Sequence, residues 1–283
     1  MKQETVQVPS SHLRDRFMED GIAFLPSVLS PHDLAAVEEF FDHMLAHPTA
    51  GAYNVPYEGG GAFITDTTDL TITSSDAYKA LINDTSIVEL VSQFMSTPNV
   101  WFYYAQLFYK DGGNARRTPW HQDTPYIPVE GQDILRLWIT LDRVDKEYSL
   151  EFVRGSHRGT LFNGSSFNPE DDTAPIYPES EMPRLPNIEA DRGQWDIVSW
   201  ATVPGDALAF HPSVLHGGAP TAAGSTRRSI GLIFYGEQAW YTPRPKGIVE
   251  ANDGSELAVN PFEQLSAGDP FRVEHLPQVK WNA

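Results

Sequence analysis

The run Arg117-Thr118-Pro119-Trp120-His121-Gln122-Asp123-Thr124-Pro125-Tyr126 sets a histidine and an aspartate two residues apart. On extended backbone, alternate side chains point to the same face, so the His121 imidazole and the Asp123 carboxylate can converge on one point. A lone His-x-Asp is equally compatible with a solvated loop. Here Pro119 and Trp120 precede it, Pro125 and Tyr126 follow it, and strand-like runs lie on both sides, which favours a built site needing further ligands from elsewhere in the chain.

Outward from this stretch, residues 100–110 (Val-Trp-Phe-Tyr-Tyr-Ala-Gln-Leu-Phe-Tyr-Lys) are aromatic-rich and read as a strand. Gln106 is the one amide in that run, either a satisfied core amide or a donor in a pocket. On the other side, Ile134-Leu135-Arg136-Leu137-Trp138-Ile139-Thr140-Leu141 alternates cleanly. Leu135, Leu137, Ile139 and Leu141 share one face; Arg136, Trp138 and Thr140 share the other, which lines a cavity or faces solvent. Residues 150–160 give a strand and a turn, with His157 read as holding the turn. Residues 207–211 and 229–235 read as strands, and Arg227, Ser229, Gly231, Ile233 and Tyr235 share parity. Gly231 inside a strand marks a close approach by another group.

The first hundred residues look different. Leu13 and Phe17 lie on one face of a helix over 11–20, and residues 22–25 read as a strand. Ser30-Pro31-His32-Asp33 is a strong helix start, with Leu34, Val37, Phe41, Met44 and Leu45 as the apolar stripe. Residues 48–75, with Gly59-Gly60-Gly61, read as a long loop or flap, and 76–96 as a helix. Residues 161–198 form a long acidic, proline-containing segment, read as a lid or a surface insertion. The last forty or so residues carry few periodic signals and read as an extended tail. Helices first and then many short strands favour a mainly β fold with helical cover, a double-stranded β-helix of the cupin-type jelly-roll kind. One domain over 1–283 is the economical division: helices at about 11–96, a β core at about 100–240, and the tail.

The 283 residues are 41% hydrophobic and 12% aromatic, enough for a filled core. With 38 acidic and 20 basic residues, the net charge of −18 disfavours nucleic acid and anionic membrane surfaces. The chain has no cysteine, which removes disulfides, thiolate ligands and thiol nucleophiles and leaves nitrogen and oxygen to hold any metal. The polar start Met1-Lys2-Gln3-Glu4-Thr5 and the lack of a long apolar run predict a cytoplasmic protein.

After residue 160 the remaining histidines are His211, His216 and His275, of which the first two lie near strand ends. Two glycines follow His216, allowing close approach. Two imidazoles and one carboxylate on one face of a metal leave the opposite positions open, the arrangement that non-haem Fe(II) oxygenases use. Arg227, eleven residues after His216, opens the next strand and could grip a carboxylate with two hydrogen bonds.

In these motifs and their order, the chain resembles the phytanoyl-CoA dioxygenase family of Fe(II)- and 2-oxoglutarate-dependent oxygenases. The resemblance covers roughly residues 12–240. It rests on Arg16-Phe17-Met18-Glu19-Asp20-Gly21-Ile22, Trp120-His121-Gln122-Asp123, Leu150-Glu151-Phe152-Val153-Arg154-Gly155-Ser156-His157, Pro204-Gly205-Asp206 with His216-Gly217, and Arg227. It implies that His121, Asp123 and His216 bind Fe(II) and that Arg227 pairs with the distal carboxylate of 2-oxoglutarate. It further implies that Trp138 lines the co-substrate pocket, with Gln106 and Gln122 as further contacts, and that His211 is structural. The expected reaction is oxidation of a small organic substrate, chiefly hydroxylation, with O2 consumed and succinate and CO2 released. The carboxylate at Asp123 argues for oxygenation over halogenation. Trp120 and Tyr126 suit an apolar or ring-containing substrate, and the acidic surface argues against a CoA thioester. A cupin-like metal or small-ligand binding protein without turnover, and a metal-free structural domain, are the alternatives. No oligomeric state follows from the sequence.

Overall fold

The computed structural model describes residues 10–54, 62–111, 116–222, 224–245, 262 and 264–280. In chain order the elements are α1 (Ser10–Asp20), β1 (Ile22–Leu25), α2 (Pro31–Ala46), β2 (Tyr53–Asn54), β3 (Ala62–Thr67), α3 (Asp76–Asn83), α4 (Ile87–Met95), β4 (Asn99–Asp111), β5 (Thr118–His121), β6 (Val129–Gly131), β7 (Ile134–Thr140), β8 (Leu150–Val153), β9 (Ile197–Ser199), β10 (Ala207–Phe210), β11 (His216–Gly218), β12 (Thr226–Tyr235), β13 (Ala239–Tyr241) and β14 (Gln278–Lys280). No described helix is long and apolar enough to cross a membrane.

The start of α2 forms as its sequence dictates. The Ser30 hydroxyl accepts the Asp33 N–H at 3.1 Å, and the Asp33 carboxylate accepts the Ser30 N–H at 3.0 Å, closing a capping box. Asp33 also accepts the Ser86 N–H at 2.9 Å, which ties the first turn of α2 to the start of α4. The apolar stripes of α2, α3 and α4 pack on the outer face of one large sheet, burying Val37, Phe41 and Phe94 against Leu107, Leu137 and Leu232.

That sheet is antiparallel in the order β1-β10-β7-β12-β4-β3-β2, with β14 also on β4. A smaller antiparallel sheet, β5-β11-β8-β9, faces it, and β6 and β13 form a ribbon. Apolar side chains of both sheets, Trp138, Leu208 and Phe210 from the large one and Leu150 and Phe152 from the small one, pack between them. This is the expected double-sheet jelly roll with helical cover. The period-2 alternation of β7 sends Leu135, Leu137 and Ile139 to the helices; Arg136 and Trp138 line the space between the sheets. All seven residues of β7 are buried, so its polar face looks inward and not toward solvent.

Two sequence expectations change. Residues 48–75 are not one loop: β2 and β3 lie there and extend the large sheet, followed by a 3-10 turn at Leu70–Ser74. The strand Ala62–Thr67 is short and carries threonine and aspartate, so its apolar alternation is weak; Gly59-Gly60-Gly61 falls outside the described residues. Residues 76–96 are two helices, because Asp84, Thr85 and Ser86 interrupt the run, with the Thr85 hydroxyl donating to the Leu81 carbonyl. The tail packs as expected where it is described: Phe271, Val273 and Leu276 bury against Ile233 and Tyr235.

Candidate metal centre and cavity

His121 ends β5 and stands directly opposite His216 in β11, their rings 4.2 Å apart between centroids. After His121 the chain leaves the strand. The Asp123 N–H bonds to the Pro212 carbonyl at 2.7 Å, and Asp123 caps the 3-10 turn Thr124–Tyr126. One carboxylate oxygen of Asp123, Oδ1, then lies 3.5 Å from His121 Nε2 and 3.6 Å from His216 Nε2. The three ligand atoms lie within 4.8 Å of one another, and all three residues are buried. Each imidazole is oriented from behind: His121 Nδ1 reaches the Pro119 carbonyl at 2.8 Å and His216 Nδ1 the Val214 carbonyl at 3.0 Å. A carbonyl only accepts, so each Nδ1 carries a hydrogen and each Nε2 faces the shared point.

Electrostatics keep His216 and Asp123 in ligand form. Burial, then the neighbouring His121, pushes the His216 imidazole down to about 3, so it is neutral at ordinary pH. Burial alone would raise the Asp123 carboxyl, but the Arg136 guanidinium beside it holds it well below the usual carboxylate range. Arg136 Nη1 donates to Asp123 Oδ2 at 2.7 Å, and Nη2 donates to Gln106 Oε1 at 2.6 Å. Two imidazoles and an anionic carboxylate, all aimed at one point, are the donor set that a divalent iron takes.

The remaining expected residues separate by face. Gln106, Trp138, Tyr126 and Arg227 line one cavity of about 1400 Å³ together with the three converging residues. Arg227 donates to the carbonyls of Ala219 at 2.9 Å, Tyr148 at 2.9 Å and Pro220 at 3.2 Å. Its register partner is Lys110, whose Nζ donates to Ala219 O at 3.0 Å. Burial pushes the Arg227 guanidinium down to about 10 and the Lys110 ammonium well below its ordinary value, and among the described residues neither is salt-bridged.

Trp120 and Gln122 are not brought to the cavity. As neighbours of His121 they point away from it, following the alternation that turns His121 inward. Trp120 packs with Val153, Leu185 and Leu215, and its indole N–H donates to Glu189 at 2.6 Å. The Gln122 amide ties two loops together: it donates to the Thr160 and Ser213 carbonyls and accepts the Phe162 N–H. Tyr126 stays at the site, its hydroxyl donating to the Ser165 carbonyl at 2.7 Å. His211 is structural, as the resemblance implied: its Nε2 meets the Gly131 carbonyl at 2.9 Å, and its Nδ1 accepts the Ser213 N–H. His157 reaches the Met18 carbonyl at 3.1 Å.

Arg136 and Phe167, which line the cavity, and Lys110, beside Arg227, carry no role in the sequence analysis. Arg136 shares parity with Trp138, and that was the available signal. Lys110 lies at the end of an aromatic strand, where a lysine reads as a solvent-facing end. Phe167 sits in the acidic segment with no periodicity at all. Its ring lies 5.3 Å from His121 and stacks on Tyr126 at 5.8 Å, while 43% of the residue is exposed. The segment 161–198 therefore reaches the cavity mouth.

Known proteins share this frame. The solved structure of SnoN, a non-heme alpha ketoglutarate dependent epimerase from nogalamycin biosynthesis, is 20% identical with a TM-score of 0.67, covering 97% of both chains. That of SnoK, a non-heme alpha ketoglutarate dependent carbocyclase from the same biosynthesis, is 18% identical with a TM-score of 0.69, covering 99% of this chain and 100% of the other. Peroxisomal phytanoyl-CoA dioxygenase of Homo sapiens is 24% identical over 171 residues, which is 56% of this chain and 46% of that protein. A probable phytanoyl-CoA dioxygenase of Caenorhabditis elegans is 24% identical over 160 residues, 52% of this chain and 47% of the other. The match thus spans about half the length of these curated relatives. The family model described as Phytanoyl-CoA dioxygenase (PhyH) matches residues 17–229, most of the chain, and the protein belongs to that family.

Proposed function

We propose that this chain is a non-haem Fe(II)- and 2-oxoglutarate-dependent dioxygenase that hydroxylates a ring-containing small molecule. The observation that carries the reading is the convergence of His121 Nε2, His216 Nε2 and Asp123 Oδ1 on a cavity that Arg227, without a salt bridge among the described residues, also lines. His121, Asp123 and His216 would hold Fe(II). The bound metal supplies the oxygen chemistry: substrate C–H, 2-oxoglutarate and O2 become substrate C–OH, succinate and CO2.

The protein's part is binding, orientation and exclusion of water. The two imidazoles arrive pre-oriented by backbone carbonyls, His216 neutral, and Asp123 arrives ionised. Arg227, with Lys110 at its side, offers a buried positive pocket for the distal carboxylate of 2-oxoglutarate. Trp138 walls that pocket, and Gln106 shapes it through Arg136. The related SnoN fold has been solved with Fe3+, alpha ketoglutarate and nogalamycin RO, and EvdO2 with 2-oxoglutarate, which supports co-substrate and substrate binding in one cavity.

Substrate character is read from the lining. Tyr103, Tyr104, Phe108, Tyr126 and Phe167 present aromatic faces to a space of about 1400 Å³, far larger than 2-oxoglutarate requires. A planar, largely apolar ring system suits those faces. A net charge of −18 disfavours the polyanionic CoA thioester of the family name. We also propose that helices, sheets and tail form one jelly-roll domain, supported by a core shared between α1–α4 and the large sheet, and that the chain works in the cytoplasm, as its acidic, cysteine-free composition suggests.

The test is anaerobic. Fe(II) and then 2-oxoglutarate are added to metal-free protein, and the visible charge-transfer band of a chelated 2-oxoacid is followed. The band is expected in wild type, lost in His216→Ala, and shifted to at least about tenfold higher 2-oxoglutarate in Arg227→Ala. Iron binding without a band would instead support a binding protein without turnover. With the band in hand, a screen by succinate release should favour ring compounds over CoA thioesters, each product one oxygen atom heavier than its substrate.

A further inference from the structure

We infer that Arg136 is a positioning residue for the Asp123 carboxylate, held in place by Gln106 and by the missing side chain of Gly231; this rests on the iron reading above. Three observations converge. Arg136 spends its two terminal nitrogens on different partners, Nη1 on Asp123 Oδ2 at 2.7 Å and Nη2 on Gln106 Oε1 at 2.6 Å. The Nε–Nη2 edge of the guanidinium abuts Gly231 on β12: a Cβ there would fall 2.6 Å from Nε, 2.9 Å from Nη2 and 3.1 Å from Cζ. The rings of Phe108 and Phe210 wall it in, at 5.7 and 6.0 Å from Cζ. The close approach expected at Gly231 from its place in the strand is therefore the approach of Arg136.

The consequence is a choice between two carboxylate oxygens. Arg136 occupies Oδ2, and Oδ1 is the oxygen set toward the two Nε2 atoms, at 3.5 and 3.6 Å. Asp123 would then hold a metal through one oxygen, whereas a carboxylate free to swing could offer both. The simpler account makes Arg136 only a counter-charge that lets a carboxylate be buried. The two accounts differ in what they require. Charge balance needs a cation anywhere close; positioning needs the fork in this orientation, tied to Gln106 and seated on Gly231.

Gly231→Ala separates them. It keeps the arginine and its charge, and the atoms it displaces are the flexible end of a side chain and not backbone, so the strand can persist. Arg136→Lys also keeps the charge but replaces the fork with a point donor. Metal-free wild type and both variants are titrated anaerobically with Fe(II), and separately with Co(II), whose visible spectrum reports ligand geometry. Circular dichroism and thermal midpoint check the fold. Both variants are expected to bind Fe(II) at least about tenfold more weakly, with an altered Co(II) spectrum. Gln106→Leu, which removes the acceptor without a clash, should show a smaller loss in the same direction and carries the test if Gly231→Ala does not fold. Wild-type affinity and spectrum in the folded variants would reduce Arg136 to a counter-charge and overturn the inference. A wild type that binds neither metal would overturn the iron reading itself.

Discussion

His211 shows how a single residue couples the fold to pH. Its imidazole is buried, bonded to the Gly131 carbonyl, and pushed down by burial to about 4. In the unfolded chain the same group titrates near its ordinary value of about 6.5. The folded state therefore binds fewer protons between these limits, and stability falls as pH drops from about 6.5 to about 4. The span corresponds to on the order of 3 kcal/mol for this group. His216, pushed down to about 3, adds to the same trend in metal-free protein. Urea unfolding of the metal-free protein should show a midpoint that declines through this window. His211→Gln, which cannot titrate, should flatten part of the decline, and an unchanged slope would count against the assignment. Single residues also show how far local sequence carries. The period-2 rule places His121 inward and so turns its neighbours Trp120 and Gln122 outward. Reading those neighbours as site residues set proximity in sequence above the alternation that the motif itself depends on.

At the scale of elements, the site is a matter of strand register. His121 and His216 meet because β5 and β11 pair antiparallel with these residues opposite one another. Gly217 permits the pairing: a Cβ there would lie 2.9 Å from the Thr118 carbonyl oxygen and 3.1 Å from that of Pro119. Both are backbone atoms and cannot swing aside. Gly217→Ala should push β11 off β5, separate the two imidazoles and lower Fe(II) affinity by about tenfold or more, measured by anaerobic titration. Unchanged affinity would show that the sheet absorbs a methyl at this point. Elements also differ in legibility. The strand β7 is written plainly, because four apolar residues alternate with Arg136, Trp138 and Thr140. The capping box of α2 is equally plain, because it is built from residues three apart. The strand β3 is hidden: it is short, with threonine and aspartate in its sequence, and it exists because β4 beside it offers unpaired backbone groups.

At the scale of the whole molecule, one cavity of about 1400 Å³ gathers residues from both sheets, the acidic segment and the tail. Phe167 covers its mouth from residues 161–198, packed on Tyr126 and His121 and yet 43% exposed. Its backbone φ of +55° is unusual for a side chain of this size and sets the ring toward the cavity. Phe167→Ala should weaken binding of a ring-containing substrate by about fivefold to tenfold, the worth of one aromatic contact, while leaving the 2-oxoglutarate band intact. Substrate titration against the anaerobic complex separates the two effects. Equal loss of both would place Phe167 in the support of the metal centre.

The sequence by itself determined the class of fold, the strand carrying His121, the pair His121 and Asp123, and the candidacy of His216 and Arg227. These follow from rules that act over a few residues: alternation, capping, glycine after a ligand, and the spacing of a motif. Tertiary structure alone decided that Arg136 grips Asp123, that Gly231 makes room for it, that Lys110 joins Arg227 and that Phe167 reaches the metal side chains. Each of those contacts joins residues far apart in the chain, or on different strands. Which of them meet depends on sheet register and on the facing of the two sheets, which are set by packing the whole core at once.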